Sequence, residues 1–229
     1  AIGGYALQDQ DAGADAYNVA IGYQAGKEVT TGIHNTLIGA FAGDNLAGGG
    51  NNVAIGNYAL STEDTHGKNV AVGYGALTLQ DAGADAYSVA VGYLAGTNIS
   101  TGTGNTLVGG LAGDSLTTGS SNTVLGYDAL STENAHGTNT AVGYQSLKAL
   151  DAGANGYNVA VGFQTGLSMS TGTQNTIIGG LAGDALTTGT NNMVIGYNAA
   201  ASAVDVNNEI TLGDANISAF RCADDSIST

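Results

Sequence analysis

Proline and tryptophan are absent from this chain of 229 residues, cysteine occurs once, and lysine and arginine together number four. The absence of proline beside 38 glycines excludes a collagen triple helix, which requires both residues. The single cysteine, Cys222, excludes an internal disulfide framework. No apolar run approaches the ~18 residues of a membrane-spanning segment, so we expect no membrane insertion.

Basic residues are so few that the chain carries a formal net charge of −15, with 19 acidic residues against four basic ones. Nucleic acids are bound mainly through neutralisation of phosphates by lysine and arginine, so we expect no nucleic-acid partner. Hydrophobic residues make up 43 % of the chain, which is too many for a disordered low-complexity sequence. The composition therefore indicates a folded, acidic protein.

A phrase of nine residues, NVAIGYQAG at 18–26, returns with small changes along the whole chain. Copies of its central glycine are spaced roughly 17 residues apart, and every fourth interval is longer by two residues. The chain thus contains three super-repeats of roughly 70 residues, each made of four units, which predicts a solenoid. We assign residues 1–213 to the repeat domain and residues 214–229 to a C-terminal capping or junction segment. The recurring glycines are Gly3, Gly22, Gly39, Gly56, Gly73, Gly92, Gly109, Gly126, Gly143, Gly162, Gly179, Gly196 and Gly213.

Short aliphatic runs rich in valine and isoleucine precede each of these glycines, and they are too short to be helices. They predict an all-β protein, a parallel β-roll or β-helix with coils of roughly 17–19 residues. Each coil is expected to contain a strand, the glycine, a short second strand or bend, and a Thr-Gly turn. Because stacked coils lie ~4.8 Å apart, twelve intervals predict a rod roughly 58 Å long.

Asparagine occupies the position four residues before the glycine in ten of twelve units, with Ser88 and Glu209 as the exceptions. Identical side chains stacked along a solenoid can form ladders, and asparagine amides can hydrogen-bond from one coil to the next. We expect this structural role for the column. Its members are Asn18, Asn35, Asn52, Asn69, Asn105, Asn122, Asn139, Asn158, Asn175 and Asn192.

Both faces of the strands are apolar, although only one face can point into a thin coil. We expect Val19 and Ile21 to fill the coil and the Ala20 column, which includes Leu37 and Leu107, to face outward. An outward apolar face needs a cover, and other copies of the same chain are the simplest one. The pattern therefore predicts an obligate homo-oligomer.

The phrase NTAVGYQSL at 139–147 and its period of roughly 17 residues resemble the repetitive fibre proteins of tailed bacteriophages. The phrase is also similar to the YadA-like heads of trimeric autotransporter adhesins. The resemblance covers nearly the whole chain and implies a left-handed parallel β-roll built by three chains.

The C-terminal stretch NEITLGDANIS at 208–218, followed by Phe220, Arg221 and Cys222, resembles the junction after such repeats in phage fibres. In that family an endosialidase-type intramolecular chaperone follows and is removed by self-cleavage. The Ser-Asp cleavage motif and the chaperone are absent from this sequence. The resemblance implies that Thr229 lies near a maturation end. At the other terminus, AIGGYAL matches AVGYGAL at 71–77, so we expect the chain to be a piece of a longer protein.

The function implied by this resemblance is structural. The expected protein is an extracellular fibre of a virion, a rigid homotrimeric spacer that attaches to a receptor or glycan on the host surface. One alternative is the head of a bacterial trimeric autotransporter adhesin, exposed on the cell surface. A polysaccharide-degrading tailspike is the third possibility. We expect the protein to have no enzymatic activity and to bind no cofactor.

Aromatic side chains are the best candidates for surface recognition. Tyr17, Tyr87 and Tyr157 recur once in each super-repeat, beside its two-residue insertion, and we predict them as receptor contacts. The aromatic residues that directly follow the glycine are expected to pack in ladders instead.

Three acidic motifs could bind metal but have simpler explanations. Asp9 to Asp15 has the carboxylate spacing of a calcium loop, although its relatives at 81–85 and 151–155 lose acids, so turn chemistry explains it. GGLAGDSL at 109–116 only partly matches a calcium-binding nonapeptide. Glu63 with His66, and Glu133 with His136, have ligand spacing without an evident third ligand. We interpret these pairs as solvated turn residues and predict no metal.

Overall fold

The computed structural model describes residues 1–13, 15–63 and 65–219, and over these ranges it contains strands and turns but no helix. It therefore offers no helix that is long and apolar enough to cross a membrane. Twelve strands of three residues form a single sheet in chain order. They are β1 (Val19–Ile21), β2 (Thr36–Ile38), β3 (Val53–Ile55), β4 (Val70–Val72), β5 (Val89–Val91), β6 (Thr106–Val108), β7 (Thr123–Leu125), β8 (Thr140–Val142), β9 (Val159–Val161), β10 (Thr176–Ile178), β11 (Met193–Ile195) and β12 (Ile210–Leu212).

Every strand pairs in parallel with the next one along the chain. Ala20 lies opposite Leu37 in the β1–β2 pair, and Leu107 lies opposite Val124 in the β6–β7 pair. The register is kept where the interval grows by two residues, because Ala71 in β4 still faces Ala90 in β5. The insertion is thus absorbed outside the strand. These pairings confirm the predicted parallel β-solenoid, in which most equivalent positions are 17 residues apart.

Each coil contains one strand and a series of turns, and the segment where a short second strand or a bend was expected is a turn in this structure. The turns are also bonded between coils, because the backbone N–H of Gly26 donates to the carbonyl of Ala42 at 2.9 Å. Gly43 repeats the bond one coil later, to Ala59, at 2.9 Å. The backbone groups of the turns are therefore satisfied by the adjacent coil rather than by a second strand.

The two faces of the strands are the reverse of what the sequence pattern suggested. Ala20, Leu37 and the equivalent middle residues of β3 to β11 are completely buried inside the coil. Val19 and Ile21 point outward, with 47 % and 39 % of their surfaces exposed. The prediction that valine and isoleucine fill the coil was wrong. The interior is narrow and is filled by three columns of side chains. The middle residue of each strand supplies one of these columns, so the first and third residues of the strand point outward.

The other two columns come from the turns. Alanine three residues after the glycine forms one of them, as Ala42 does, and the other lies seven residues after the glycine, as Leu46 does. Together with Leu37 these side chains fill one coil, and each is fully buried. A core built from a few large and several small residues per coil explains why alanine recurs so often in this sequence.

The recurring glycine is required by both backbone conformation and space. At Gly109 the φ angle is +137°, a conformation that residues with a side chain rarely adopt. A Cβ built there would lie 2.4 Å from the carbonyl oxygen of Gly126 in the next coil. The strand-ending glycines therefore let successive coils approach at the spacing of a sheet.

Candidate functional site

The asparagine column forms a hydrogen-bonded line through the interior of the solenoid. Each side-chain Oδ1 accepts the backbone N–H of the next asparagine, as Asn18 does from Asn35 at 2.7 Å and Asn158 from Asn175 at 3.0 Å. In five members of the column the side-chain Nδ2 donates to a glycine carbonyl 14 residues later, as Asn105 does to Gly119 at 2.8 Å. The Nδ2 atoms of Asn52 and Asn69 have no hydrogen-bond partner among the described residues. The remaining Oδ1 contacts join Asn35 to Asn52, Asn52 to Asn69, Asn105 to Asn122, Asn122 to Asn139, Asn139 to Asn158, and Asn175 to Asn192.

The two exceptions in this column behave differently. Glu209 completes the ladder through its backbone N–H, which donates to Oδ1 of Asn192 at 2.9 Å. Ser88 donates its backbone N–H to Asn69 at 3.1 Å, but its buried hydroxyl has no hydrogen-bond partner among the described residues. The serine side chain is too short to reach the next coil. The ladder therefore has a weak point in the second super-repeat.

The outer face of the sheet consists of the first and third residues of each strand. Large apolar side chains are more than one third exposed at both ends of the rod, and Leu125, near its middle, reaches 48 %. A continuous apolar strip of this kind is unusual on the surface of a soluble monomer and is typical of an interaction site. Its most exposed members are Val19, Ile21, Leu125, Val159, Val161, Ile178, Met193, Ile210 and Leu212.

An aromatic ridge runs beside the outer face, one or two residues after the strand-ending glycines. Its rings contact one another from coil to coil at centroid distances of 5.0–6.2 Å. A gap falls at Gly110, where a Cβ would lie 3.4 Å from the ring of Tyr127. The first run contains Tyr5, Tyr23, Phe41, Tyr58, Tyr74 and Tyr93, and the second contains Tyr127, Tyr144 and Phe163.

The three tyrosines predicted as receptor contacts lie on a separate, polar column. Tyr17, Tyr87 and Tyr157 are 70 %, 59 % and 58 % exposed. Tyr17 stacks on the imidazole of His34, with the ring centroids 5.6 Å apart. Lys68 donates to the hydroxyl of Tyr87 at 3.0 Å and lies over its ring. The rings are therefore accessible, and two of them are supported by neighbouring side chains.

The acidic loops of the insertions have a structural role that explains their variation. Asp85 Oδ1 accepts the backbone N–H of Gly67 at 3.2 Å, and Asn155 Oδ1 accepts that of Gly137 at the same distance. An aspartate and an asparagine thus make the same contact in successive super-repeats. Lys68 also forms an ion pair with Asp85 at 2.5 Å, and hydrogen bonding to this lysine lowers the pKa of the Asp85 carboxyl.

Glu63 and Glu133 are completely buried, which contradicts their interpretation as solvated turn residues. They occupy the interior column that elsewhere holds Leu46, Leu116 and Leu150. A carboxylate inside an apolar column requires compensation, because removing charge from water is costly. The repeat in the sequence showed that each of these glutamates is followed by a histidine three residues later. It could not show that the glutamates are buried, because burial depends on the packing of neighbouring coils.

Three side chains around Glu133 are brought together from two successive coils. The ligand atoms of Glu133, His136 and Asp151 all lie within 4.8 Å of one another, and this is the one such group of three among the described residues. Burial raises the pKa of the Glu133 carboxyl, and the nearby Asp151 charge raises it further. Asp151 is the third member of this group, and sequence spacing did not reveal it because it belongs to the next coil.

Phe220, Arg221, Cys222 and Thr229 lie outside the described residues, so the predicted junction segment is described only from residue 214 to residue 219. Comparison of the chain with protein-family models, with curated proteins and with solved structures gave no match.

Proposed function

We propose that this chain is a structural segment of a virion fibre, a rigid spacer formed by three identical copies and used in attachment to the host. The observation that carries the proposal is the apolar outer face, which follows the length of the solenoid. The repeat resembles that of phage tail fibres, and this likeness suggests the biological setting. It also suggests that three chains form a left-handed parallel β-roll. The junction-like sequence at 208–218 favours this setting over an adhesin head.

Copies of the same chain are the occupant that best fits the outer face. The face repeats every coil, so a second copy in register would meet apolar residues at every level of the rod. Burial of such area stabilises an association at about 25 cal/mol per Å² of apolar surface. The acidic chain, with net charge −15, keeps the other surfaces from associating in the same way.

Stiffness follows from the continuous bonding between coils. Parallel strand pairs, the asparagine ladder and the turn-to-turn bonds all connect each coil with the next. In a solenoid, stability is a sum of such nearest-neighbour contacts, so bending the rod requires breaking several of them together. A spacer between a virion and a cell surface needs this resistance.

Host attachment is assigned to the column of exposed tyrosines. Tyr17, Tyr87 and Tyr157 recur every four coils and are each more than half exposed, two residues before the first outer-face residue of their strands. Aromatic rings with a polar hydroxyl suit the faces and hydroxyls of sugars. A glycan or a glycosylated receptor on the host is the partner that fits this column.

The experiment is a measurement of the oligomeric mass of the purified chain and of its Val108→Asp variant by native mass spectrometry. Val108 lies half-buried on the outer face, whereas its neighbour Leu107 is inside the coil. We expect a trimer for the wild type and loss of the trimer for the variant, because association would bury an unpaired charge in every copy. Asn98→Asp, which adds the same charge at an exposed turn position, is the matched control and should remain trimeric. A wild type that is a stable monomer would refute the proposal.

A further inference from the structure

Two positions of one interior column of the solenoid carry a carboxylate, Glu63 and Glu133, and the surroundings of Glu133 are the more unusual. Glu133 is fully buried in the column that holds Leu116 in the preceding coil and Leu150 in the following one, both also fully buried. A leucine there would continue the apolar core. Buried carboxylates persist in proteins when they are paired with a cation or bind a metal ion.

The groups around this carboxylate are arranged as ligands. Glu133 Oε1 accepts the backbone N–H of His136, and Oε2 accepts that of Ala152, each at 3.2 Å. These bonds fix the carboxylate in place. The Nδ1 atom of His136 lies 3.5 Å from Oε1, is closed off from solvent and has no hydrogen-bond partner among the described residues. Asp151 completes the group from the next coil, with one oxygen inside the same 4.8 Å limit.

The equivalent pair one super-repeat earlier, Glu63 and His66, has a different neighbour at its histidine. There the hydroxyl of Thr65 lies 3.1 Å from Nδ1 of His66, and Nδ1 is 4.0 Å from Oε1 of Glu63. In the second super-repeat Ala135 replaces the threonine, so no hydroxyl from this position engages the imidazole nitrogen. The substitution leaves this nitrogen turned toward the buried carboxylate.

We propose that Glu133, His136 and Asp151 bind a divalent transition-metal ion, with Zn²⁺ as the best-fitting representative. Two carboxylates and one neutral imidazole supply oxygen and nitrogen ligands of the type that zinc binds, and the fourth position is open to water. The charge of the ion balances the two carboxylates. Because Asp151 belongs to the next coil, the ion would connect two successive coils of the rod.

Asp151 is exposed and Glu133 is held by the backbone, so closing the group around an ion requires movement mainly of the aspartate. Zinc lies about 2.0–2.2 Å from each of its ligand atoms. The ligand atoms of the three side chains, which are up to 4.8 Å apart, must therefore move closer together to bind it. The Glu133 carboxylate is fully buried beside the carboxylate of Asp151 and would gain the most from a cation. The site lies within one chain and does not rest on the trimeric fibre proposed above.

The test is titration of the metal-free chain with Zn²⁺ by calorimetry at physiological ionic strength, together with thermal unfolding with and without the metal. We expect one dominant zinc site per chain and a higher unfolding temperature with zinc, because a ligand that binds only the folded state stabilises it. His136→Asn and Asp151→Asn should each weaken zinc binding roughly tenfold or more.

Two further variants keep the result interpretable. Glu133→Gln keeps a side-chain oxygen that can accept one of the two backbone N–H groups and should fold, yet bind zinc far more weakly and lose the zinc-dependent rise in unfolding temperature. His66→Asn is the matched control in the earlier super-repeat and should leave zinc affinity unchanged. An absence of zinc binding by the wild type would overturn the proposal and leave a His136–Glu133 ion pair as the compensation. Equal zinc affinity of the wild type and His136→Asn would overturn it as well.

Discussion

The side-chain oxygen of Asn105 accepts a hydrogen bond from the backbone N–H of Asn122, one coil further along the chain, at 2.9 Å. Asn122 then accepts the N–H of Asn139 at 3.0 Å. Every member of the ladder thus satisfies a buried backbone donor that has no strand partner at that position. This relation makes the column a structural requirement of the rod.

Asn122→Ala should destabilise the chain by about 1–3 kcal/mol, since it leaves the buried N–H of Asn139 without an acceptor. Urea unfolding monitored by circular dichroism measures the change. Asn98→Ala removes an exposed asparagine whose side chain donates to the carbonyl of Asp114, and it should have an effect of about 0.5 kcal/mol or less. Equal effects of the two variants would contradict a special role for the buried column.

Leu107→Ala should lower the free energy of unfolding by about 2–5 kcal/mol, because Leu107 is completely buried in the coil. Val108→Ala, one residue later on the outer face, should change the stability of a single chain much less and should mainly weaken association between copies. Unfolding and sedimentation measurements on both variants separate the two effects. If Val108→Ala proved the more damaging to a single chain, the assignment of the faces would be wrong.

Gly109→Ala should be strongly destabilising, by at least about 2 kcal/mol, because a side chain is strained at a φ of +137° and its Cβ would meet the carbonyl of Gly126. Gly83→Ala is the matched control. Its φ is +65° and no atom lies within 4 Å of the added Cβ, so only the backbone strain of about 1 kcal/mol is expected. The difference between their unfolding midpoints isolates the contact between coils.

Stability should fall as pH rises from about 4 to about 7, in part through Asp44. Burial, followed by the nearby charge of Glu28, raises the pKa of Asp44 from 3.8 to about 6 in the folded chain. The folded state therefore binds more protons than the unfolded state between these values, and this group's contribution is lost as pH rises through 6. Thermal unfolding of Asp44→Asn should show a smaller fall over that range than the wild type. An identical pH profile would show that Asp44 does not contribute.

Replacement of Tyr17, Tyr87 and Tyr157 by asparagine should abolish binding to host glycans while leaving the fold intact. Asparagine tolerates the positive φ angles of 49–52° found at these three positions. Binding of the wild type and the triple variant to an array of bacterial surface polysaccharides is the measurement. Ser121→Asn, in the same exposed column, should bind as the wild type does. Retained binding by the triple variant would move the attachment surface elsewhere.

The period of the glycines was sufficient to predict the solenoid, the coil length and the position of every strand. Parallel stacking requires equal coils, so the regular interval, which sets Asn105 and Asn122 17 residues apart, translates directly into register. The longer interval, which sets Asn139 and Asn158 19 residues apart, was equally informative, because an insertion that keeps the register must lie in a turn. The asparagine column was visible for the same reason, since equivalent positions of stacked coils are neighbours.

The sequence alone therefore determined the repeat, the parallel β-solenoid and the residues that stack upon one another. Tertiary structure decided which strand face is buried. Side chains alternate between the two faces every second residue, so apolar residues on both faces fit either orientation. The narrow interior of the coil selects the face of Ala20 and leaves Val19 outside. Tertiary structure also decided the surroundings of Glu133. Spacing along the chain showed a glutamate and a histidine on one turn, whereas burial between two leucines and the approach of Asp151 arise from contacts between coils.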